Sequence, residues 1–522
     1  MKRTLLTSAA TAAMFISNMA TAQVSFGGKP LGLGATKSNL PAVPVEVMPA
    51  VDALTLLVED AERLASGDKR MRFGKNHATD FTLDNSGVWS VQRNGDRVWR
   101  LGIECPGAYS INFAFTTFVV PEGGQVFVYN PLGHVLGSFT AASHPGHTVL
   151  GVDLLMGDRI TIEYIEPAAV AGQGQLRIGQ VTHGYRDSFG VEKGFGASGA
   201  CNINVVCPIT ATYADQIRSV ARIVVGGGDW CTGQLVDNCA HDKVPYFLTA
   251  DQCVSGQNPA LWVFAFNWHS TNCSFNTLTP MNQTVSGASI WVSGVGNDVA
   301  LLQLDADPPA SYNVFFTGWD KSGATPSQSR SIHHPNGDQK KFSIDDDPAT
   351  SSTYNGVTSW KIGDWDQGTT EPGSTGGGLW DLNGRLIGLQ TGGSASCLFN
   401  SDDYFGKFST SFTELEPYLG TCGNTTNGLD ANTAIAEGSA IGQLEVFPNP
   451  SNGSISVVVP DGVSGVVRIR VSDGVGRIVV DATMDPVSHM LPLDLSFAAD
   501  GMYSLELMAN DVRWVQRIAL QN

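Results

Sequence analysis

Three short segments bring hydroxyls, a carboxylate and a carboxamide together with small residues. The first is Tyr246-Phe247-Leu248-Thr249-Ala250-Asp251-Gln252-Cys253. The second is Asn297-Asp298-Val299-Ala300-Leu301-Leu302, and the third Thr370-Glu371-Pro372-Gly373-Ser374-Thr375-Gly376-Gly377. A hydroxyl has a pKa far above 7, so it attacks a carbonyl only as a base removes its proton. Histidine does this readily because its unperturbed pKa is about 6.5. A carboxamide such as Gln252 hydrogen-bonds a hydroxyl but cannot take its proton near neutral pH. Thr375 carries a methyl beside its oxygen, which restricts χ1. It is also internal, so no N-terminal amine serves it as a base. His241, His269, His333 and His334 are the other candidate bases of this block. Each is expected to be a surface or packed residue, with His269 on a strand.

Other chemistries find little support. No C-x2-C or H-x3-H spacing suggests zinc. Asp345-Asp346-Asp347-Pro348 lacks the glycine and distal glutamate of a calcium loop, and is expected to be a solvated turn. Gly194, Gly196 and Gly199 form a formal GxGxxG, but no helical run follows, so no dinucleotide site is expected. The expectation is a protein without metal or cofactor.

The elements that must position these residues are mostly strands. With 522 residues, and about 150 per domain, two to four domains are expected. Leu54, Leu57, Val58, Ala61 and Leu64 predict one helix. Asn94-Gly95 between Val91 and Val98-Trp99 predicts a hairpin with a type I′ turn. Tyr109, Ile111, Phe113 and Phe115 alternate with smaller or polar residues, giving one apolar face. Residues 80–186 therefore read as a β-sandwich, followed by a glycine-rich linker at 187–199. Eight of the nine cysteines fall between 201 and 422. Beyond a polar stretch at 424–438, short strands at 455–459, 466–471, 478–480 and 502–507 predict a second small sandwich.

Composition narrows the classes further. Lys and Arg total 31 against 49 Asp and Glu, a net charge of −18. So acidic a surface repels nucleic acid and anionic lipid. Charged residues make up 15% and glycines number 59, which suits β-rich architecture. Lys2 and Arg3, an apolar run from Leu5 to Ile16 and Ala20-Thr21-Ala22 predict a secretory signal over 1–22. Export permits disulfides. No later run is apolar enough to span a membrane, and nine cysteines leave at least one unpaired within the chain.

Taken in order, with Cys231-Thr232-Gly233-Gln234-Leu235-Val236 and Gly388-Leu389-Gln390-Thr391-Gly392-Gly393, the segments resemble chymotrypsin-fold serine peptidases. They are most similar to the secreted bacterial lysyl endopeptidases, through Cys201-Asn202-Ile203-Asn204-Val205-Val206-Cys207-Pro208 and Ile332-His333-His334-Pro335. The resemblance covers about 197–420. It implies an all-β chain: a chymotrypsin-type double β-barrel flanked by an N-terminal β-sandwich pro-region and a C-terminal β-sandwich sorting domain. The implied boundaries are a leader with one helix at 23–79, the pro-region at 80–193, the peptidase domain at 194–423, a linker at 424–441 and the sorting domain at 442–522.

The resemblance also assigns roles. The base position falls on Gln252, the acid on Asp298 and the nucleophile on Thr375, so two of three triad positions are changed. The N–H groups of Gly373 and Thr375 would form the oxyanion hole. Asp402 falls near the lysine-selecting pocket acid, with Asp403 as the alternative. Thr391 stands where the family has a pocket histidine, and Trp360 on a pocket aromatic, with core packing equally open. The implied disulfides are Cys201–Cys397, Cys207–Cys273 and Cys231–Cys253; Cys105, Cys239 and Cys422 stay unassigned. Val98-Trp99-Arg100-Leu101 and His183-Gly184-Tyr185-Arg186 resemble the family's pro-region, with Lys193-Gly194 as the implied processing bond. Val446-Phe447-Pro448-Asn449-Pro450 and Gly501-Met502-Tyr503 resemble the sorting domain of the type IX secretion system of Bacteroidetes; a generic adhesion module is the alternative.

The expected function is that of a secreted peptidase homologue, catalytically inactive and acting by binding a peptide or protein ligand. The alternatives are a weakly active endopeptidase using Thr375 or Ser374 with Lys/Arg preference, and a structural or adhesive surface protein. The type IX machinery is the expected partner, and the location is the medium or the outer-membrane surface.

Overall fold

The computed structural model describes residues 27–34, 40–65, 70–144, 146–190, 197–277, 283–294, 296–432, 444, 446–459, 466–473, 478–485, 490–509 and 512–521. The signal, the Lys193-Gly194 bond and residues 433–443 lie outside them. The chain divides into two compact units, Met1–Asn432 and Thr433–Asn522.

The first unit opens with the sandwich. One sheet runs Val45–Val47, Arg97–Glu104, Arg159–Glu166, Gln125–Tyr129, Val135–Phe139, with Val88–Val91 paired to Arg97–Glu104. The facing sheet runs Gly74–Thr82, Gln175–Gly184, Ser110–Val119, Leu150–Met156. Alternation places Ile111, Phe113 and Phe115 in the core between the sheets, with Trp99, Ile162 and Tyr164 opposite. The sandwich thus begins well before residue 80. The Asn94-Gly95 hairpin forms, but its loop spans 92–96 and only Gly95 takes a positive φ, 89°. That is a longer loop than a two-residue type I′ turn.

Helix Ala53–Ala65 is present, and the residues whose spacing predicted it are not the ones it buries. Leu56 and Asp60 are buried, whereas Leu54, Leu57 and Val58 are exposed. The reason lies in Asp60. Its carboxylate accepts from Arg72 Nε at 2.6 Å, Tyr185 Oη at 2.7 Å and an Arg186 Nη2 at 2.6 Å. Charge-assisted bonds of this kind are about twice as strong as neutral ones, and here they set the rotation of the helix.

Two sheets of eight strands follow, all pairs antiparallel. The first is ordered Thr284–Ser286, Val263–Phe266, Val220–Val225, Asp229–Leu235, Tyr246–Thr249, Ala300–Leu304, Ala288–Val292, and Met71–Arg72 joins it on Asp229–Leu235. The second is ordered Ile203–Asn204, Lys341–Asp345, Ser329–His333, Gly378–Trp380, Leu386–Gly393, Ser401–Lys407, Val357–Asp364, Thr350–Tyr354. Phe247, Phe264 and Trp262 fill the first, Trp360, Trp365 and Phe405 the second. A shared cluster including Leu248, Trp319 and Trp380 joins them, closed by helix Phe408–Leu419. His269 lies beyond strand Val263–Phe266, outside any strand. Residues 424–432 are no linker: Gly428–Asp430 pairs with Phe315–Thr317.

The sandwich docks on the first of these sheets. Strand Met71–Arg72 pairs with Asp229 and Trp230, and Phe73 stacks on Trp230 at 3.9 Å. Asn112 Nδ2 donates to Gly227 O at 2.9 Å and Asn76 Nδ2 to Gly226 O at 2.8 Å. Asp153 of the sandwich faces Arg222 of the sheet at 3.8 Å, both fully buried. Met71, Phe73, Leu154, Val224 and Val263 make one apolar cluster across the seam.

The second unit is itself a sandwich. One sheet holds Val446–Phe447, Ser454–Val458 and Met490–Asp494; the other runs Ile478–Met484, Val467–Asp473, Gly501–Ala509, Val512–Leu520. Ile455, Val457, Ile469, Leu491 and Leu505 make its core.

Candidate active site

Strand pairing brings two of the three expected residues together. Thr249 pairs with Ala300 across adjacent strands. Gln252 follows the first strand on a one-turn helix, Asp251–Val254, and Asp298 precedes the second. Gln252 N donates to Asp298 Oδ1 at 3.0 Å, and Gln252 Nε2 to Asp298 Oδ2 at 2.8 Å. The same Nε2 donates to Thr391 O at 2.7 Å. Both amide hydrogens are therefore committed, leaving Oε1 as an acceptor only. The bond to Thr391 also links the two sheets.

Burial dominates at Asp298 and pushes its pKa up to about 6, against the hydrogen bonds from Gln252 and Thr391 that favour its charged form. The sign follows directly. A carboxyl whose folded pKa is raised adds stability below its unfolded value near 4, and this contribution is lost as pH rises through about 6. Two pH units correspond to roughly 3 kcal/mol. We expect a 13Cγ titration of Asp298, assigned by its absence in Asp298→Asn, to show a midpoint near 6. A midpoint near 4 would contradict the burial argument.

Thr375 lies in the loop before strand Gly378–Trp380. The loop is stapled to the first sheet: Thr232 N donates to Thr375 O at 2.8 Å and Thr232 Oγ1 to Gly373 O at 2.9 Å. Gly376 needs its glycine, since φ is 85° and a Cβ would stand 2.3 Å from Thr232 O and Thr249 Oγ1. Gly373 also has a positive φ, 94°. Glu371, just before, accepts from Gly199 N at 2.9 Å and Asn202 Nδ2 at 3.0 Å, fixing the segment that opens this domain.

Ser374 points to a different partner. Its Oγ lies 2.8 Å from His333 Nδ1, while His333 Nε2 lies 3.0 Å from Ser343 Oγ. Ser343 Oγ donates to Thr369 O, so it accepts from Nε2, and Nδ1 accepts from Ser374. This is a serine–histidine pair in form. It is wholly buried, and burial pulls His333 down to about 3. No periodic or spacing signal announced it. His334 is likewise buried, with Nδ1 2.8 Å from Asp338 O, and His269 is lowered to about 4 by burial. His241 pairs with Asp237 at 2.6 Å.

The pocket candidates separate. Asp402 is 46% exposed and ion-paired with Lys361 at 2.7 Å. Its neighbour Asp403 is buried and accepts from Trp365 Nε1 and Thr370 Oγ1, both at 2.7 Å. Trp360 is buried, donates to Ile387 O at 3.2 Å and lies under Lys407 Nζ at 3.7 Å. Thr391 Oγ1 accepts from Gly406 N at 3.3 Å. Disulfides close Cys201–Cys397, Cys207–Cys273 and Cys231–Cys253, and a fourth joins Cys239 to Cys422. Cys105 is a free, buried thiol, raised to about 12 by burial.

Two antiparallel sheets, with an acid, a hydroxyl and a base position drawn from loops where they meet, define a chymotrypsin-type serine peptidase fold. Residues 195–406 match the family described as lysyl endopeptidase, C-terminal domain, and residues 445–521 match the secretion system C-terminal sorting domain. A lysyl endopeptidase of Pseudomonas aeruginosa is 32% identical over 290 residues, 51% of this chain and 62% of that protein. The chain thus matches less than two thirds of that relative's length. Among solved structures, the Rv3671c protease of M. tuberculosis in its active form is similar at 17% identity and a TM-score of 0.28, covering 45% of this chain and 96% of that one. The MamO protease domain of Magnetospirillum magneticum follows at 12% identity and 0.27, covering 38% and 97%. The middle of the chain thus resembles the lysyl endopeptidase C-terminal domain over residues 195–406, and its end resembles a secretion system sorting domain over 445–521. That domain marks it for secretion or surface attachment. No helix among the described residues is long and apolar enough to cross a membrane.

Proposed function

We propose that this homologue no longer hydrolyses peptide bonds and acts by binding a peptide or protein ligand. The observation that carries the reading is Gln252. It sits against Asp298 with both amide hydrogens donated, and it offers no basic nitrogen for a hydroxyl proton. Losing the base alone costs on the order of 10⁶ in kcat in a well-studied hydrolase. Two further features support the reading. The hydroxyl beside Thr375, on Ser374, has a histidine partner, but no substrate reaches that pair without unpacking the core. The acid proposed to select lysine, Asp402, already has an ammonium partner in Lys361.

The N-terminal sandwich then stays with the peptidase domain as a permanent part. The sorting domain engages the type IX machinery, which points to a Bacteroidetes source. Purified chain from residue 23 onward, treated with a fluorophosphonate probe and a lysyl ester, is expected to show neither labelling nor turnover above a heat-denatured control. Covalent labelling of Thr375 or Ser374 together with ester turnover would establish the weakly active reading instead.

A further inference from the structure

At the seam between the sandwich and the first peptidase sheet, two histidines and a carboxylate converge. His144 and His147 lie between strands Val135–Phe139 and Leu150–Met156. Asp305 directly follows strand Ala300–Leu304. His144 Nε2 is 3.0 Å and His147 Nε2 3.5 Å from the same Asp305 oxygen, Oδ2. All three candidate ligand atoms lie within 4.8 Å of one another. A tetrahedral zinc ion with bonds near 2.0–2.1 Å sets its ligand atoms about 3.3 Å apart, close to the 3.0 and 3.5 Å of the two histidine–Asp305 distances. The two imidazoles stack with centroids 4.4 Å apart and planes 12° apart, so the partly exposed His147 ring turns to bring both lone pairs onto one ion.

The hydrogen bonds around the cluster match a ligand set. His144 Nδ1 bonds the Val149 carbonyl. A carbonyl only accepts, so Nδ1 carries the hydrogen and the neutral ring presents a lone pair at Nε2. That lone pair faces a carboxylate oxygen. The contact is repulsive unless a second proton or a cation lies between them. A ring N–H held by a backbone carbonyl is the common outer-shell device of metal-binding histidines. Ser289 Oγ holds the other Asp305 oxygen, Oδ1, at 3.3 Å, leaving Oδ2 for the histidines. Gly287, at φ 84°, keeps the space open: a Cβ there would stand 2.3 Å from His144 Nε2 and 2.5 Å from Asp305 Oδ2. His144 and Asp305 side chains are 0% and 3% exposed, while His147 is 34% exposed and gives the site its mouth.

We propose that His144, His147 and Asp305 bind a divalent cation of the zinc class, with water as the fourth ligand. The ion displaces any proton held between the ligand atoms and clips the N-terminal sandwich to the strand whose other end carries Asp298. This site is separate from the peptidase cleft and stands whether or not that cleft is active. Its motif, H-x2-H with a carboxylate 158 residues further on, is invisible to short-spacing rules.

The test uses the untagged chain from residue 23, stripped by chelator and titrated with zinc chloride by calorimetry at pH 7.5. One zinc per chain is expected, with at least 100-fold weaker binding in His147→Ala and in Asp305→Asn. Zinc should raise the melting temperature of the parent and not of His147→Ala, whose exposed site leaves folding intact. Cobalt should give the visible bands of a tetrahedral site in the parent alone. No stoichiometric uptake, or equal uptake by parent and both variants, overturns the proposal and leaves His144 and Asp305 as a hydrogen-bonded pair that holds no ion.

Discussion

Gln252→His combined with Thr375→Ser should produce measurable cleavage after lysine or arginine, with kcat at least about 10³ above either single variant. Base and nucleophile act as one unit, so either change alone recovers little. The structure supports the combination. Gln252 already holds Asp298 through its backbone N–H and its side chain, so an imidazole at this position has an acid to fix its tautomer. The loop around Thr375 is held by Thr232 on both sides of Ser374, at Gly373 O and Thr375 O. Serine removes the methyl without disturbing those backbone bonds. Steady-state kcat/KM on a lysyl ester and a lysyl peptide measures the gain.

A third change, Lys361→Ala, releases Asp402 from its 2.7 Å ion pair. Added to the double variant, it should lower KM for lysyl over alanyl esters while leaving kcat nearly unchanged. A folded but inert double variant would place the loss in the cleft as well as in the chemistry. The central domain would then be scaffold.

How much of this was legible in the residues depends on the range of the interaction. The ordered segments around Gln252, Asp298 and Thr375 carried the peptidase fold because each is a contiguous strand–turn unit. The resemblance placed three disulfides where the structure has them, one of them 196 residues apart, and assigned no partner to Cys239 or Cys422, which the structure joins. The helix at 53–65 was visible by period, yet its buried face was not. The bonds that rotate it reach from Asp60 to Arg72, Tyr185 and Arg186. The same holds at the pocket. Asp402 and Asp403 are adjacent letters, but strand alternation sends one out to Lys361 and the other in to Trp365 and Thr370. Ser374 turned away from Gln252 as its position beside Thr375 required. Its histidine partner came from a segment 41 residues earlier, brought in by sheet pairing.

Asp153→Ala should destabilise the first unit by about 3–5 kcal/mol, the cost of breaking a buried ion pair from one side. Arg222 is fully buried between Trp230, 4.2 Å from its guanidinium, and Trp268 at 5.4 Å. Its Nη1 donates to Gly337 O at 3.2 Å. Burial pulls Arg222 down to about 10, with Asp153 opposing that shift, and burial raises Asp153 with Arg222 opposing in turn. Each ion is tolerated because of the other. The pair crosses from sandwich strand Leu150–Met156 to peptidase strand Val220–Val225, so its loss strikes the seam itself. Chemical unfolding should show the early loss of the first unit, and the fluorescence of Trp230 and Trp268 should report it. Asp80→Ala, which removes only an exposed pair with Arg177, should unfold with the parent. Replacing both partners, Asp153→Leu with Arg222→Met, should recover most of the loss, since neither charge then stays buried alone. If Asp153→Ala unfolds with the parent, the two domains are held by the apolar cluster around Phe73 and Trp230, and the ion pair contributes nothing to the seam.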